Sequence, residues 1–280
     1  MKKLKRSARI VEITHYLLLR PHTLIPLTIF AERYDSAKSS ISEDLAIIKE
    51  VFEEEGVGEL HTLAGASGGV KFVPKISAEA AAAIFEDIRR ELEKPERVLA
   101  GEFLYMSDML GQPMIVNQIG KMFATAFADQ TLDVVMTVET KGIALAYATA
   151  AYLNLPVVIV RRDNRVTEGS AVSINYISGS TRRIQTMSLS RRALKERANV
   201  LIIDDFMRGG GTVRGMIDLL REFDANVQGV GVFVESAEVE SRLVEDYVSI
   251  AKLEKVDPKT REITILPGNY FAKTRQRPLN

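Results

Sequence analysis

The feature that most constrains this 280-residue sequence is a run of thirteen residues, 200–212, which reads VLIIDDFMRGGGT. Its four leading apolar residues predict a short buried strand. The three glycines that follow allow backbone amides to approach an anion closely, and Thr212 is placed to begin a helix, whose N-terminus favours a phosphate. A strand, an anion-binding loop and a helix in immediate succession are typical of α/β folds.

Two carboxylates, Asp204 and Asp205, lie between the predicted strand and the glycines. Beside a phosphate they would repel the ligand, unless they accept hydrogen bonds from sugar hydroxyls or meet a magnesium ion. A ribose 5-phosphate group satisfies both parts of the run, with its 2′ and 3′ hydroxyls on the Asp pair. A plain strand–turn–helix would explain the glycines but not the carboxylates.

A second loop of similar construction occurs earlier, where the apolar segment Val134–Val138 is followed by Glu139, Thr140, Lys141 and Gly142. A strand again ends, a glycine admits close backbone contact and a helix begins. The lysine would add a positive charge to this loop. Since Lys-Gly at a helix start is common, the segment alone is a weak indication of an anion site.

The chain after residue 98 alternates apolar runs with helical patterns, which predicts a parallel sheet in an α/β domain spanning 75–280. An Ala-rich helix capped by Ser77 begins this part of the chain. The predicted strands are 134–138, 157–160, 200–203 and 229–234, and the predicted helices are 112–128, 142–153, 213–223 and 237–247.

The first 74 residues predict a separate domain with the element order of a winged helix-turn-helix. Apolar residues recur at helical spacing in three segments, and two strands flank a glycine-rich hairpin tip at 64–69. The predicted helices are 7–20, 27–34 and 38–55, and the predicted strands are 59–63 and 70–73.

Charge is distributed unevenly over this domain, although the whole chain has 37 basic and 37 acidic residues. Residues 1–40 hold eight basic residues against three acidic ones, and residues 41–60 hold one against seven. A recognition helix with a basic, serine-rich start suits entry into a DNA major groove between phosphates. The predicted DNA-contacting residues are Lys5, Arg6, Lys38, Ser39, Ser40 and Ser42.

Two alternatives remain for this helix start. Ser36 or Ser40 could simply cap the helix, since residues 40–43 read as a capping box. Winged helices also serve as protein-binding modules, so a regulator that never touches DNA is a further hypothesis. A second basic window, 161–197, carries nine basic residues against three acidic ones. It could be a ligand lid, a DNA-contacting strip or a solvated surface hairpin.

The chain contains no cysteine, which excludes disulfides, thiolate zinc sites and cysteine nucleophiles and fits a reducing cytoplasm. Its three histidines, His15, His22 and His61, are too scattered to suggest a metal cluster. We expect a cytoplasmic protein with no metal centre of its own and no membrane partner.

The 200–212 run resembles, at all thirteen positions, the phosphoribosyl pyrophosphate motif of type I phosphoribosyltransferases. In that family the earlier loop holds the pyrophosphate, which implies a charge from Lys141 and amides from Thr140 and Gly142. The whole chain resembles the purine operon repressors of Gram-positive bacteria. The segments that carry this resemblance are VVMTVETKGI at 134–143, VVIVRRDNRVTEG at 157–169, SINYISG at 173–179 and RIQTMSL at 183–189.

The resemblance implies a homodimer that binds palindromic operators on double-stranded DNA upstream of purine genes. It implies that phosphoribosyl pyrophosphate, alone or with magnesium, acts as an effector that weakens DNA binding, and that the domain has no transferase activity and no catalytic residues. Guanosine tetraphosphate can occupy the same pocket in relatives, some of which are activators. The implied effector-binding residues are Thr140, Lys141, Gly142, Asp204, Asp205, Phe206, Met207, Arg208, Gly209, Gly210, Gly211, Thr212, Tyr105 and Ser180.

The sequence departs from the family pattern at Arg208, where lysine is common. Either side chain reaches a phosphate, and arginine does so with a planar fork, so we expect binding to survive. The competing hypothesis is a working purine phosphoribosyltransferase with an appended DNA-binding domain. In that case Phe103 and Tyr105 could stack on a base, although an aromatic pair of this kind is more often part of a core.

Overall fold

The computed structural model describes residues 4–65, 68–101, 103–162, 169–177, 183–239 and 241–275. The chain separates into two compact units, the first formed mainly by the first 80 residues and the second by most of the remainder. In the described ranges, every helix is too short or too polar to reach from one side of a membrane to the other.

The first unit consists of three helices and a three-stranded antiparallel sheet, which confirms the winged helix-turn-helix. The helices are α1 (Arg6–Leu18), α2 (Leu27–Tyr34) and α3 (Lys38–Glu54). The strands are β1 (Leu24–Ile25), β2 (Gly58–Leu63) and β3 (Gly69–Pro74), in the spatial order β1-β3-β2. The two-residue strand β1, absent from the sequence prediction, pairs with Val70 and Lys71 of β3.

The helices of this unit bury one apolar face each, as their periodicity predicts. Leu17, Phe30 and Ile41 meet in a core that the sheet completes with Phe72. Asp35, in the left-handed conformation at φ 47°, ends α2 and allows α3 to begin three residues later.

The capping alternative for α3 is wrong in this structure. The residue that caps α3 is Ala37, and no side chain caps the helix start. The Ser36 hydroxyl instead donates to the carbonyl of Tyr34 at 3.1 Å and accepts from Arg9 at 3.0 Å. Ser40 lies inside the first turn of the helix, so neither serine supplies the predicted cap.

The second unit contains the remaining elements. Its helices are α4 (Ala78–Leu92), α5 (Ser107–Leu110), α6 (Pro113–Ala126), α7 (Gly142–Leu153), α8 (Gly211–Arg221) and α9 (Tyr270–Arg275). Its strands are β4 (Val98–Leu99), β5 (Phe103–Leu104), β6 (Val134–Val138), β7 (Val157–Val160), β8 (Ala171–Ile177), β9 (Ile184–Ser190), β10 (Asn199–Met207), β11 (Asn226–Ser236), β12 (Val248–Asp257) and β13 (Glu262–Pro267). Ser77 caps α4 as predicted, accepting from the Ala80 amide at 3.1 Å.

A six-stranded sheet in the order β13-β12-β11-β10-β6-β7 forms the centre of this unit. All its pairings are parallel except β12–β13. Helix α7 connects β6 to β7, its neighbour toward one edge of the sheet. Helix α8 connects β10 to β11, its neighbour toward the other edge. The direction of winding therefore reverses between β6 and β10, and such a switch point leaves a crevice at the carboxyl ends of the strands.

In and beside the central sheet, the main differences between the structure and the sequence prediction are three. No helix forms in the described part of 237–247. Strands β12 and β13 extend the sheet where no strand was predicted, β13 as an antiparallel edge. Strand β10 continues to Met207, so the Asp pair lies within the strand instead of after it. The pairing of β10 with β11 extends to Met207 and accounts for this longer strand.

Candidate functional site

The switch point brings the two predicted anion loops together. Strand β10 pairs with β6 only over residues 200–202, whereas its pairing with β11 runs to Met207. A Cβ on Gly142 would lie 2.4 Å from the Thr137 hydroxyl and 3.4 Å from Asp204 Oδ1. The Thr137 hydroxyl therefore leaves no room for a side chain at the start of α7, and Asp204 lies at contact distance from the same point.

The glycine loop, residues 208–211, ends in the first turn of α8. Gly210 caps the helix at φ +80°, a left-handed conformation that glycine adopts without strain. The helix runs for eleven residues from Gly211, and its first amides have no partners within the helix. These amides, with Thr212 in the first turn, are suited to holding a phosphate.

The two carboxylates are poorly solvated. Asp204 is buried, and its Oδ1 accepts the Asp205 amide at 3.0 Å. Burial, with the negative charge of Asp205, raises the pKa of Asp204 well above its usual range. Burial also raises the pKa of Asp205, while the positive charge of Lys141 opposes that rise. Carboxylates in this setting gain from hydroxyl donors that replace lost water, as the two hydroxyls of a ribose would.

Two residues that the sequence analysis did not select lie beside this pair. The positive charge of Arg162 opposes the rise that burial causes in the pKa of both carboxyls and of Tyr176. The Arg162 amide donates to Glu139 at 2.9 Å, which ties the end of β7 to the loop after β6. Arg162 follows a parallel strand as both anion loops do, so the rule that ligands bind at the carboxyl ends could have identified it.

Tyr176 reaches the site from the β8–β9 hairpin. A Cβ on Gly215 of α8 would lie 2.8 Å from Met187 and 3.0 Å from Tyr176, so the hairpin packs directly on the helix. The Tyr176 hydroxyl donates to Gln185 at 2.7 Å, and burial raises its pKa while the Thr212 hydroxyl opposes the rise. The described strands of the basic 161–197 window therefore lie against the helix that follows the glycine loop. No pattern in the sequence distinguished Tyr176 from other strand residues.

The predicted aromatic residues take different positions. Phe103 lines a cleft of about 50 Å³ together with Phe206 and Arg208 of the loop region. Tyr105 is 42% exposed, and its backbone is fixed by the buried Arg97, which donates to the Tyr105 carbonyl at 2.9 Å. Phe103 therefore shares a cleft with the loop, and Tyr105 does not line it. Ser180 lies outside the described residues.

A larger cleft, of about 670 Å³, opens along the edge strand β7 and is lined in part by Val157, Leu194 and Lys195. It contains no residue of either anion loop. We place the candidate site at the loops, because the carboxylates, the glycines and the helix starts converge there and supply chemistry that the larger cleft lacks.

The predicted DNA-contacting residues lie at the starts of α1 and α3. Lys5, Lys38, Ser39 and Ser42 are exposed, and Ser40 is half-buried. Arg9 bonds to Ser36, so the basic start of α1 lies beside the start of α3. Arg6 is engaged by Asp44 at 3.0 Å and lies 3.5 Å from Glu43.

Asp44 is the acidic centre of this arrangement. It is fully buried in α3, and its second oxygen accepts from Arg9 at 2.5 Å. A buried carboxylate is tolerated when paired in this way. The Asp44 carboxylate thus joins the starts of the two helices, a role that the sequence analysis did not assign.

Comparison with known families agrees with this division of the chain. Residues 5–74 match the family described as bacterial purine repressor, N-terminal, and residues 106–264 match the phosphoribosyl transferase domain. Adenine phosphoribosyltransferase from Thermoanaerobacter pseudethanolicus has a similar fold, with a TM-score of 0.53 and 19% identity over 60% of this chain and 99% of that one.

Two curated relatives match along nearly their full length. The purine biosynthesis transcriptional repressor PurR of Bacillus subtilis (strain 168) is 57% identical over 269 residues, which cover 96% of this chain and 94% of that protein. The purine biosynthesis transcriptional activator PurR of Lactococcus lactis subsp. lactis (strain IL1403) is 44% identical over 268 residues, or 96% and 99%. This chain therefore belongs to the family of purine biosynthesis transcriptional regulators, in which a bacterial purine repressor N-terminal domain precedes a phosphoribosyltransferase domain.

Proposed function

We propose that this protein is a DNA-binding repressor of purine biosynthesis genes whose DNA affinity is lowered by phosphoribosyl pyrophosphate. The observation that carries the proposal is the convergence of the Asp pair and the two anion loops at one switch point, in a chain that also has a predicted recognition helix with a basic, serine-rich start. The effector would bind without reacting, so the phosphoribosyltransferase fold serves as a sensor.

The winged helix supplies the DNA contact in this proposal. The start of α3 presents Lys38, Ser39 and Ser42 to solvent, with the exposed Lys5 on the neighbouring helix start. Lysines of this kind neutralise phosphates, and short hydroxyl side chains can read base edges in the major groove. A homodimer would present two such helices to the halves of a palindromic operator. The relatives named as a repressor and as an activator both support transcriptional control. The repressor is 57% identical to this chain and the activator 44%, which favours repression.

The effector would span the two loops. Its 5-phosphate would bind the glycine loop, its ribose hydroxyls the Asp pair, and its pyrophosphate the loop of Thr140, Lys141 and Gly142. In the described part of the chain no three acidic or histidine side chains group as a metal site. Magnesium would therefore arrive with the ligand, whose phosphate oxygens complete a shell that one or two carboxylates only begin. Guanosine tetraphosphate offers the same phosphate chemistry to these loops.

The experiment is a titration of a labelled purine-gene promoter fragment with the full-length protein, with and without phosphoribosyl pyrophosphate and magnesium. We expect the effector to weaken binding by the parent protein. Lys141→Ala removes an exposed charge from the pyrophosphate loop, so it should keep its effector-free DNA affinity and require about tenfold more effector, the usual cost of one charged contact.

Lys259→Ala is the matched control, because it removes an exposed lysine of the same unit outside both loops and outside the basic 161–197 window. It should respond to effector as the parent protein does. A parent protein whose DNA affinity ignores the effector would refute the sensor role. Failure to bind any purine-gene promoter, even at low salt, would refute DNA binding and leave a protein-binding regulator.

The competing function is a working purine phosphoribosyltransferase. The observation in its favour is the exposed ring of Phe103 beside Phe206 and Arg208, on which a planar base could stack. Near full-length relatives named as transcriptional regulators favour the non-enzymatic reading. Incubation with phosphoribosyl pyrophosphate, magnesium and each purine base should release no pyrophosphate, and release would establish the enzyme.

We further propose a cytoplasmic location, which fractionation of cells would test.

A further inference from the structure

A buried carboxylate outside the site described above, Glu235, lies at the end of β11 beside Met207 of β10. It is 6% exposed. One oxygen accepts from the Tyr247 hydroxyl at 2.6 Å and from Arg242 at 2.7 Å, and the other accepts from the Ser249 hydroxyl at 2.6 Å. These donors hold the Glu235 carboxylate in one position, because loss of any of them would leave a buried negative charge without enough hydrogen bonds.

The network fixes the irregular segment that follows β11, residues 241–247. Arg242 donates to Glu235 with one nitrogen and to the Ser236 carbonyl with another at 2.6 Å. Tyr247, at the far end of the segment, bonds to the same carboxylate. Both ends of the segment are thus bound to the end of one strand, without any helix to support it.

This segment in turn contacts the glycine loop. The Leu243 amide donates to the Gly209 carbonyl at 3.0 Å. The backbone nitrogen and side chain of Val244 lie 3.5 Å from the point that a Cβ on Gly210 would occupy. The residue next to Arg242 therefore holds the peptide that joins Gly209 to Gly210.

Orientation of that peptide decides where an amide points. In a trans peptide the carbonyl and the following N–H point in opposite directions. With the Gly209 carbonyl directed at Leu243, the Gly210 amide is directed to the other side of the loop. If the bond from Leu243 were lost, a glycine peptide could rotate easily, since glycine has few steric restrictions.

We infer that Glu235 is a positioning residue for phosphate binding: through Arg242 and Leu243 it fixes the glycine loop in the orientation that accepts the ligand's 5-phosphate. The inference rests on the proposed function, because it assumes that a phosphate binds this loop. It assigns a role to the 241–247 segment and to Glu235, neither of which touches the ligand.

The test compares two probes by calorimetry on the full-length protein in magnesium. Ribose 5-phosphate needs the glycine loop, and inorganic pyrophosphate needs the loop after β6. Glu235→Gln places an amide group among donors, so it should weaken ribose 5-phosphate binding about tenfold or more, while pyrophosphate affinity stays within about twofold. A purely structural role would weaken both probes together.

Further variants separate folding from positioning. Arg242→Met changes a more exposed side chain and should show the same selective loss if Glu235→Gln does not fold, and Arg242→Lys should recover part of it by restoring a charged donor. Asp246→Asn is the matched control, because this 97% exposed side chain lies in the same segment and forms its ion pair with Lys273, away from Glu235.

The outcomes are distinct. Selective loss of ribose 5-phosphate binding in Glu235→Gln or Arg242→Met supports the inference. Unchanged affinity, or equal loss for both probes, overturns it while leaving the proposed function intact. A parent protein that binds neither probe overturns the proposed function, and the inference with it.

Discussion

At the scale of single residues, the distinctive feature is an acidic pair placed where its own charge is unfavourable. Asp204 is buried beside Asp205, and the nearby positive charges of Lys141 and Arg162 offset this only in part, because the pKa of each carboxyl remains raised. Groups retained at such a cost to folding are typical of binding sites. Ligand hydroxyls would relieve part of this cost. A charged Asp204 therefore favours ligand binding but lowers the folding stability of the ligand-free protein.

Asp204→Asn should therefore stabilise the ligand-free protein at neutral pH. The variant keeps the oxygen that accepts the Asp205 amide and removes a buried charge, so we expect a gain of about 1–3 kcal/mol. Since the folded-state pKa is raised above the usual value near 3.8, the parent loses stability as pH rises through that pKa.

Thermal unfolding followed between pH 4 and pH 8 measures this difference. The gain should be largest at pH 8 and shrink as the pH falls, because a protonated Asp204 resembles asparagine in charge. A gain that is constant across this range, or a loss at pH 8, would contradict the electrostatic origin of the effect.

At the scale of elements, the sequence predicts those segments whose stability comes from local pattern. Helix α2 and strands β6 and β7 match their predicted bounds, because apolar periodicity and nearby breakers define them. Segment 237–247 has apolar residues at helical spacing, yet its Arg242 and Tyr247 bond to Glu235 and its Leu243 amide donates to the Gly209 carbonyl. Glu235 lies in strand β11 and Gly209 in the loop after β10, so these bonds depend on tertiary packing that a local helical pattern does not show.

The same distinction applies to the candidate site. The glycine loop and the Asp pair were predictable because one continuous motif contains them. Arg162 follows strand β7 of the central sheet, whereas Phe103 and Tyr176 lie in two separate two-stranded sheets, so the tertiary packing of those sheets brings these two to the loops. The engagement of Arg6 by Asp44 was hidden for the same reason, since 38 positions separate them in the chain.

The ion cluster between α1 and α3 gives a prediction for the winged helix. Asp44→Ala leaves the largely buried Arg9 without its carboxylate, and should destabilise the first unit by about 3–5 kcal/mol. Glu43→Ala, the neighbouring exposed partner of Arg6, should cost no more than about 1 kcal/mol.

Amide hydrogen exchange in α1 and α3 of the full-length protein distinguishes these variants. Protection should fall strongly for Asp44→Ala and little for Glu43→Ala. Equal protection in both would show that the buried carboxylate is not what joins the two helices.

The start of α3 gives a second prediction at this scale. Lys38→Ala should weaken binding to operator and random DNA alike and lower the salt slope of log K by about one, as loss of a phosphate contact does. Ser39→Ala should instead change the ratio between operator and random DNA, with the salt slope unaltered. Fluorescence anisotropy at several salt concentrations measures both quantities, and an unchanged slope for Lys38→Ala would remove it from the phosphate contacts.

At the scale of the whole molecule, the proposed regulation is a coupling between two sites carried by different units. Such coupling is reciprocal, because both binding reactions share one thermodynamic cycle. Operator DNA should therefore weaken effector binding by the same factor by which effector weakens DNA binding. Both ligands are polyanions, so direct competition for one site has to be distinguished from coupling between two.

A double titration makes that distinction. With coupling, the apparent Kd for DNA rises with effector concentration and then reaches a plateau, and the two factors agree. With competition for one site it rises without limit. Lys141→Ala should shift the effector concentration at the midpoint and leave the plateau value unaltered.

The register of the central sheet also sets an order of events during synthesis. Val134 of β6 pairs with Val200 of β10, 66 positions later, and β12 and β13 follow only after that. The contacts among α1, α2 and α3 form between residues of the first part of the chain. The parallel strands pair segments that are distant in the sequence, and such pairing is slower. A growing chain emerging from the ribosome thus has its DNA-reading helix complete before the sheet that would hold the effector exists.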